Sequence, residues 1–283
     1  MNKAIEITNL RKQYKNFLLD NISFSVPGGF VCGFIGENGA GKTTTLKLIL
    51  GMIGKDSGSI RLFGKPAEDV SLKEDIGVLF EQPYYQEDQT PIDVEKAIRP
   101  FYRKWNSTAF HQYLVQFSID PKQKYQTMSR GMKIKLGMAV TLAHDAKLLL
   151  LDESTSGLDP VARNEMLGIL RDYMVEEGRT IFFSTHITGD LEKIADYITY
   201  IKGGRILYSG LKDELIEKYC LVKGGTEDLP LAKRKQILGL REYPGGFDGM
   251  IPIKDIAGFP GSVITETVSL DDIMVRMSKE VVA

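Results

Sequence analysis

Short apolar runs with few polar positions recur along the first two thirds of the chain. Four of them are rich in branched and aromatic residues: 30–35, 76–80, 147–152 and 180–184. Strands that are buried on both faces of a parallel sheet have this pattern, whereas strands with one solvent-facing side alternate. The segments 5–7 and 19–26 do alternate. The pattern therefore predicts an α/β fold with a mainly parallel sheet core and antiparallel N-terminal strands.

Helical periodicity replaces the strand pattern from about residue 90 to residue 145, which predicts a mainly helical subdomain. Three polar residues are expected to cap helices there: Asp93 for 94–105, Thr108 for 109–117 and Ser129 for 130–144. Strands and helices alternate on both sides of this insert, so the central sheet is expected to be covered on both faces.

The pattern changes again near residue 220. Residues 228–240 are predicted to form a helix and 243–249 a turn, and Ser269 with Asp272 resembles a capping box before a last helix. We therefore expect one domain over 1–220, which includes the helical subdomain, and a small C-terminal α/β accessory region over 221–283.

Composition and charge narrow the class of protein. The 283 residues carry a net charge of −1 and include only two cysteines, so neither a nucleic-acid groove nor a disulfide framework is expected. The N-terminus lacks the apolar core of a signal peptide, and no apolar run approaches the about 20 residues of a membrane-spanning helix. These features indicate a cytosolic chain that does not itself cross a bilayer and has no nucleic-acid partner.

A phosphate-binding loop lies between the first predicted buried strand and a predicted helix. Its pattern is G-x-x-x-x-G-K-[ST], and the residues are Gly36, Glu37, Asn38, Gly39, Ala40, Gly41, Lys42 and Thr43, followed by Thr44. The glycines allow the backbone N–H groups to curl around an anion, and the helix N-terminus adds a partial positive charge. Lys42 is expected to reach the β- and γ-phosphates and the Thr43 hydroxyl to ligate magnesium, so the chain is predicted to bind a nucleoside triphosphate.

Two carboxylates follow the apolar run at 147–152. Asp152 is expected to hold magnesium through its water shell, and Glu153 to polarise the attacking water as a general base. An acidic pair that only marks where a strand reaches solvent is the alternative. The phosphate loop favours the first interpretation.

Over about residues 1–215, the order of the motifs resembles that in the nucleotide-binding subunits of ATP-binding cassette (ABC) transporters. Three further segments carry the likeness: 128–132 is similar to the signature loop LSGGQ, 154–160 to the loop after the second carboxylate, and 184–186 to the switch histidine. Each motif is short, but their combined order is specific. The resemblance implies the P-loop ATPase fold, with ATP and magnesium as ligands.

The resemblance also implies individual roles. Tyr14 would stack on adenine, and His186 would contact the γ-phosphate and orient Glu153. Ser129 and Gly131 would close over the nucleotide of a second ATP-binding subunit in a head-to-tail dimer, and Asp159 would help couple the two subunits.

The sequence departs from the family pattern at three places. Arg130 replaces the middle glycine of the signature, and Ser154 stands where proline is common. The magnesium-contacting glutamine corresponds to Glu81 if the preceding strand aligns without a gap, with Gln82 as its neighbour. Both residues stay candidates.

The function implied is the ATP-hydrolysing motor subunit of an exporter. It would act at the cytoplasmic face of a bacterial membrane with a separate transmembrane permease. The alternative is a soluble ABC-type ATPase that acts on ribosomes or DNA. Most such proteins carry two cassettes or a long coiled coil, and this chain has neither.

Overall fold

The computed structural model describes residues 2–279. It divides into two compact units, one made of Met1–Ile187 and Tyr197–Ser209, the other of Thr188–Asp196 and Gly210–Ala283. Among the helices of the described residues, none has the length and apolarity needed to cross a bilayer. The two units are defined by contacts within the chain, which do not test the predicted domain boundary at residue 220. That boundary stays a prediction.

The first unit is built from ten strands and five α-helices. Its strands are β1 (Lys3–Gln13), β2 (Leu18–Pro27), β3 (Val31–Ile35), β4 (Ser57–Leu62), β5 (Lys65–Pro66), β6 (Ile76–Leu79), β7 (Leu148–Asp152), β8 (Thr180–Thr185), β9 (Tyr197–Lys202) and β10 (Arg205–Leu211). Its helices are α1 (Lys42–Ile49), α2 (Pro91–Ile98), α3 (Ser107–Gln116), α4 (Arg130–Leu142) and α5 (Pro160–Tyr173), with 3₁₀ turns at Val70–Asp75, Arg99–Phe101 and Tyr125–Thr127.

The strands form two sheets. An antiparallel sheet has the order β2-β1-β4-β5, and a six-stranded sheet has the order β10-β9-β3-β8-β7-β6. In the larger sheet β9, β3, β8, β7 and β6 are parallel, so their carboxyl ends lie at one edge. Asp152 pairs in register with Ser184 at that edge. The predicted parallel core and antiparallel N-terminal strands are confirmed.

Three stacked phenylalanine rings fill the core of this unit. Phe182 lies 5.1 Å from Phe34 and 5.9 Å from Phe24 between ring centroids, and all three belong to the cluster that includes Leu46 of α1. Phe34 and Phe182 are fully buried. The helix that follows the phosphate loop is therefore anchored to the same core as the strands.

The second unit has one antiparallel sheet and three α-helices. Its elements are α6 (Thr188–Ile194), α7 (Lys212–Glu217), β11 (Tyr219–Gly224), β12 (Leu238–Tyr243), β13 (Gly246–Pro252), β14 (Ile264–Thr267) and α8 (Leu270–Lys279), with 3₁₀ turns at Thr226–Asp228, Arg234–Gln236 and Ile253–Asp255. The strand order is β12-β13-β11-β14. The predicted capping box at the start of α8 is present, because the Ser269 hydroxyl and the Asp272 carboxylate each bond the other's backbone N–H.

The helix predicted at 228–240 is wrong. The structure has short 3₁₀ turns there, and β12 pairs with β13 in a hairpin. Gly239 adopts a φ of +59°, and Ile237 is buried in the core of the unit. Sheet pairing and burial override the local helical periodicity.

Two predicted helix caps are displaced. The N-cap of α2 is Thr90, which forms a capping box with Asp93, so Asp93 lies inside the first turn. The N-cap of α3 is Asn106, whose Oδ1 accepts from the Ala109 N–H at 3.0 Å. Pro100 lies two residues after the end of α2, where a missing N–H ends the ladder of hydrogen bonds. The helix that Ser129 caps is confirmed.

Replacing Phe182 with Ala should destabilise the protein by about 3–5 kcal/mol, because the cavity would remove contacts on both stacked neighbours. The free energy of unfolding can be measured by urea titration. Phe101→Ala is the matched control, since Phe101 is 81% exposed and its loss should change stability by less than about 0.5 kcal/mol. Equal effects of the two substitutions would contradict this account of the core.

Candidate functional site

The phosphate loop connects β3 to α1 at the carboxyl edge of the six-stranded sheet. Gly39 has a φ of +81° and Gly41 a φ of +113°, a backbone region that other residues rarely adopt. A Cβ on Gly36 would lie 2.3 Å from the carbonyl oxygen of Ile201. Each glycine of the motif therefore meets a specific steric demand of the loop.

Lys42 curls back into the loop that precedes it. Its Nζ lies 2.7 Å from the Gly36 carbonyl oxygen and 3.3 Å from that of Glu37. The ammonium is also 3.2 Å from Oε1 of Glu153, and both side chains are buried. Lys42 thus holds a positive charge inside the loop, where it can exchange these carbonyl contacts for phosphate oxygens.

Asp152 lies at the end of β7 between two hydroxyl groups. Thr43 Oγ1 donates to Asp152 Oδ2 at 2.8 Å, and Ser184 Oγ donates to Oδ1 at 2.9 Å. Burial raises the pKa of Asp152, and the nearby Glu153 charge raises it further, while both hydroxyl bonds oppose the shift. The sequence analysis assigned no role to Ser184, although its place two residues before His186 was a usable signal.

Glu153 follows directly and has a φ of +51°, which is uncommon for a residue other than glycine. Its backbone N–H donates to the Ser184 carbonyl at 2.8 Å, and His186 Nδ1 lies 2.7 Å from Oε2. Oε1 is buried without a hydrogen bond and has only the Lys42 ammonium close by. This carboxylate can accept a proton from water when its ion pair with Lys42 opens.

The loop that carries Tyr14 lies beside the phosphate loop. A Cβ on Gly41 would meet the ring of Phe17 at 2.9 Å, and the Tyr14 N–H donates to the Phe17 carbonyl. The Tyr14 ring is 41% exposed, with Lys12 Nζ 5.6 Å from its centroid. An exposed ring next to a phosphate loop is available for stacking on a base.

The signature and coupling residues are bonded within their own helices. Ser129 caps α4, and its Oγ accepts from the Met132 N–H at 3.2 Å. Asp159 caps α5 by accepting from the N–H groups of Val161 and Ala162. These hydrogen bonds are local to each helix. They do not connect Ser129 or Asp159 to Lys42 or Asp152 of the same chain.

The glutamine-loop candidates follow β6. Glu81 Oε1 accepts a hydrogen bond from Arg130 Nη2 at 2.7 Å, so its carboxylate is paired with the arginine of the signature loop. Gln82 is exposed. Which of the two contacts magnesium stays a prediction.

The residues at this edge fit a nucleoside triphosphate with magnesium. Thr43 and Asp152 bring a hydroxyl and a carboxylate oxygen together, and magnesium prefers such oxygen donors with substrate phosphates as further ligands. Among the described residues, no group of three or more His, Cys, Asp or Glu side chains could hold a metal alone. A metal ion bound by the Thr43 and Asp152 oxygens would need further ligands, which phosphate oxygens can supply.

Known proteins have sequences and folds similar to those of this chain. A family model described as "ABC transporter" matches residues 19–156. The lantibiotic transport ATP-binding protein SrtF of Streptococcus pyogenes is 36% identical over 205 residues, which cover 72% of this chain and 89% of the relative. The bacitracin transport ATP-binding protein BcrA of Bacillus licheniformis is 30% identical over 274 residues, which cover 93% of this chain and 89% of the relative. A solved structure described as an ATP binding subunit of an ABC transporter aligns with a TM-score of 0.68 at 25% identity, covering 75% of this chain and 91% of that one.

The chain belongs to the ABC transporter family. It has the ABC ATPase fold predicted from the sequence, and it is an ATP-binding subunit whose ATPase activity is coupled to transport.

Asp152→Asn should stabilise the nucleotide-free protein at pH 7 by on the order of 1 kcal/mol, because it removes a buried ionised carboxylate. Because the pKa of Asp152 is raised in the folded state, the protonated form of this side chain favours folding. Its contribution to the free energy of unfolding is fully present below the pKa of the unfolded state and is lost as pH rises through the folded pKa. The advantage of the variant should therefore shrink as pH falls toward 4. Urea titrations of both proteins at several pH values test this. A difference that is independent of pH would contradict it.

Proposed function

We propose that this chain is the motor subunit of an exporter at the cytoplasmic face of a bacterial membrane. Two ATP-binding subunits bind two ATP molecules between them, and a separate permease carries the cargo. The family membership and the relatives named for lantibiotic and bacitracin transport support this proposal. The basic residue in the signature loop and the C-terminal accessory region resemble exporters with separately encoded permeases.

The observation that carries the proposal is the linked group of Lys42, Glu153 and His186. One Glu153 oxygen is held by His186, while the other is buried beside the Lys42 ammonium. In the proposed reaction Lys42 moves to the γ-phosphate, which leaves Oε1 free to take a proton from the attacking water. His186 keeps Glu153 oriented. When bound through Thr43 and Asp152, magnesium supplies charge neutralisation for the phosphate oxygens.

The N-terminus of α4 supports a dimer. Ser129 and Gly131 are solvent-accessible at the start of a 13-residue helix, where a hydroxyl and backbone N–H groups can bind an anion. The phosphate loop at the start of α1 already forms one such site in the chain. A second copy or a homologous subunit arranged head to tail would use both sites on one ATP, and Asp159 would lie near the subunit boundary.

A groove between residues 81–87 and the start of α4 is the proposed permease site. Its volume is 370 Å³, and Tyr84 is 88% exposed at its mouth. Lys133 and Tyr125 also line the groove, with Lys133 Nζ 4.6 Å from the centroid of the Tyr125 ring. Exposed aromatic residues beside a concave surface are typical anchors for a protein partner.

The alternative function, a soluble ATPase acting on ribosomes or DNA, gains no support from these relatives. The net charge of −1 also disfavours nucleic acid as a partner.

Replacing Glu153 with Gln should abolish ATP turnover, with a loss of at least about 100-fold, and leave ATP binding intact. The variant should accumulate as an ATP-bound dimer. Phosphate release and size-exclusion chromatography with ATP measure the two effects. Glu6→Gln is the control, because Glu6 lies on β1 in an exposed pair with Lys3. Normal hydrolysis by a monomeric Glu153→Gln protein would refute both the base and the dimer.

Replacing Tyr84 with Arg should weaken co-purification with a membrane permease by about tenfold, since a hydrophobic anchor is lost and a charge is placed in the groove. The subunit is expressed in its host with an affinity tag, and the associated membrane proteins are quantified from detergent extract. Val175→Arg is the control, because Val175 is 80% exposed at the end of α5. Recovery of ribosomes or DNA in place of a permease would favour the alternative function.

A further inference from the structure

Arg130 links two loops of the first unit. It stands in the first turn of α4, and its Nη2 donates to Glu81 Oε1 at 2.7 Å. About half of each side chain is exposed, 48% for Arg130 and 47% for Glu81. Arg130 stands where the family signature carries glycine, and Glu81 is one of the two candidates for the glutamine position.

The other side of the guanidinium group lies on Gly157. A Cβ built on Gly157 would be 2.8 Å from Arg130 Cζ and 3.0 Å from both Nε and Nη1. Gly157 also has a φ of +77°, so the turn and the close approach both require glycine. The flat guanidinium group therefore rests on the backbone of this turn while it is bonded to Glu81.

The two residues that contact Arg130, Glu81 and Gly157, belong to different parts of the proposed site. Glu81 begins the segment that forms one wall of the proposed permease groove. Gly157 is four residues after Glu153, and two overlapping turns join them. The Ser156 N–H donates to the Glu153 carbonyl at 3.0 Å, and the Leu158 N–H donates to the Thr155 carbonyl at 3.3 Å around Gly157. A shift of the Gly157 turn is thus passed to the backbone of Glu153 through a short and tightly bonded path.

The groove segment is itself held firmly against α4. A Cβ on Gly137 would lie 2.7 Å from Pro83 Cγ, and the Tyr125 hydroxyl donates to the Pro83 carbonyl. The segment is therefore packed against α4 about two helical turns from Arg130, and both Glu81 and Arg130 line the groove. Movement of a partner in the groove would act directly on the Glu81–Arg130 pair.

We propose that Arg130 is a positioning residue, which ties the Glu81 wall of the groove to the Gly157 turn and so sets the position of Glu153 for hydrolysis. This inference rests on the proposed function, because it takes Glu153 as the base and the groove as the permease site. In this role Arg130 acts through Glu81 and the Gly157 turn, and not by contact with the reacting atoms.

The exposure of the pair separates this role from a purely structural one. Half-exposed ion pairs contribute little to stability because water screens them, so breaking this pair should hardly change the thermal midpoint. An effect on the rate with an unchanged midpoint would point to positioning.

The test is a double-mutant cycle in the full chain with Glu81→Gln, Arg130→Gln and both together. Each single substitution should lower kcat for ATP by about tenfold, while KM and the affinity for ATP stay within about twofold. The double variant should be no slower than either single variant, because one broken link has already released the turn. Arg130→Lys keeps the charge but not the flat guanidinium group, so its kcat should be intermediate.

The control is Arg234→Gln. Arg234 Nη2 pairs with Glu242 Oε2 at 2.7 Å, and the side chains are 45% and 44% exposed, which matches the tested pair closely. This control should keep the wild-type kcat.

Three results would overturn the proposal. The first is a kcat for the double variant that is reduced by the product of the two single losses, and the second is a wild-type kcat for Arg130→Gln. The third is a loss of ATP affinity in Arg130→Gln alone, which would make Arg130 a nucleotide contact. None of these results would change the expected loss of turnover in Glu153→Gln, which tests the proposed function separately. Failure of this inference is therefore distinguishable from failure of the proposed function.

Discussion

A buried lysine needs its charge balanced at short range, and this requirement organises the site. Lys42 is surrounded by two backbone carbonyls of the phosphate loop and by Glu153. Those partners come from β3 and β7, which the parallel sheet brings to one edge with β8 between them. The loop, the strand register and the carboxylate pair are consequently parts of one electrostatic arrangement. The triphosphate that the family binds would replace carbonyl contacts with stronger anionic ones.

The same edge places the adjacent carboxylates Asp152 and Glu153 in different surroundings. Asp152 accepts bonds from two hydroxyl groups, whereas Glu153 contacts His186 through one oxygen and the Lys42 ammonium through the other. The positive φ of Glu153 turns its side chain away from the strand direction toward His186. Backbone geometry thus separates a proposed metal residue from a proposed base that is its direct neighbour.

Beyond the phosphate site, three segments of the first unit contact one another. The Glu81 segment, the start of α4 and the Gly157 turn meet at Arg130, although they are far apart in sequence. The sequence alone marked Arg130 only as a departure from the signature loop. In the structure Arg130 forms an ion pair with Glu81, and its guanidinium group lies against Gly157.

The sequence by itself determined the parallel core, the phosphate loop, the cap at Ser129 and the Asp152–Glu153 pair, because each depends on local periodicity or on chemistry at fixed spacing. Only the tertiary structure decided the partners of those residues: Ser184 on Asp152, Lys42 on Glu153 and Arg130 on Glu81. It also decided that 228–240 is largely turn and strand, since sheet pairing and the burial of Ile237 outweigh local propensity. Long-range contacts are set by strand order and register, which a local pattern does not encode.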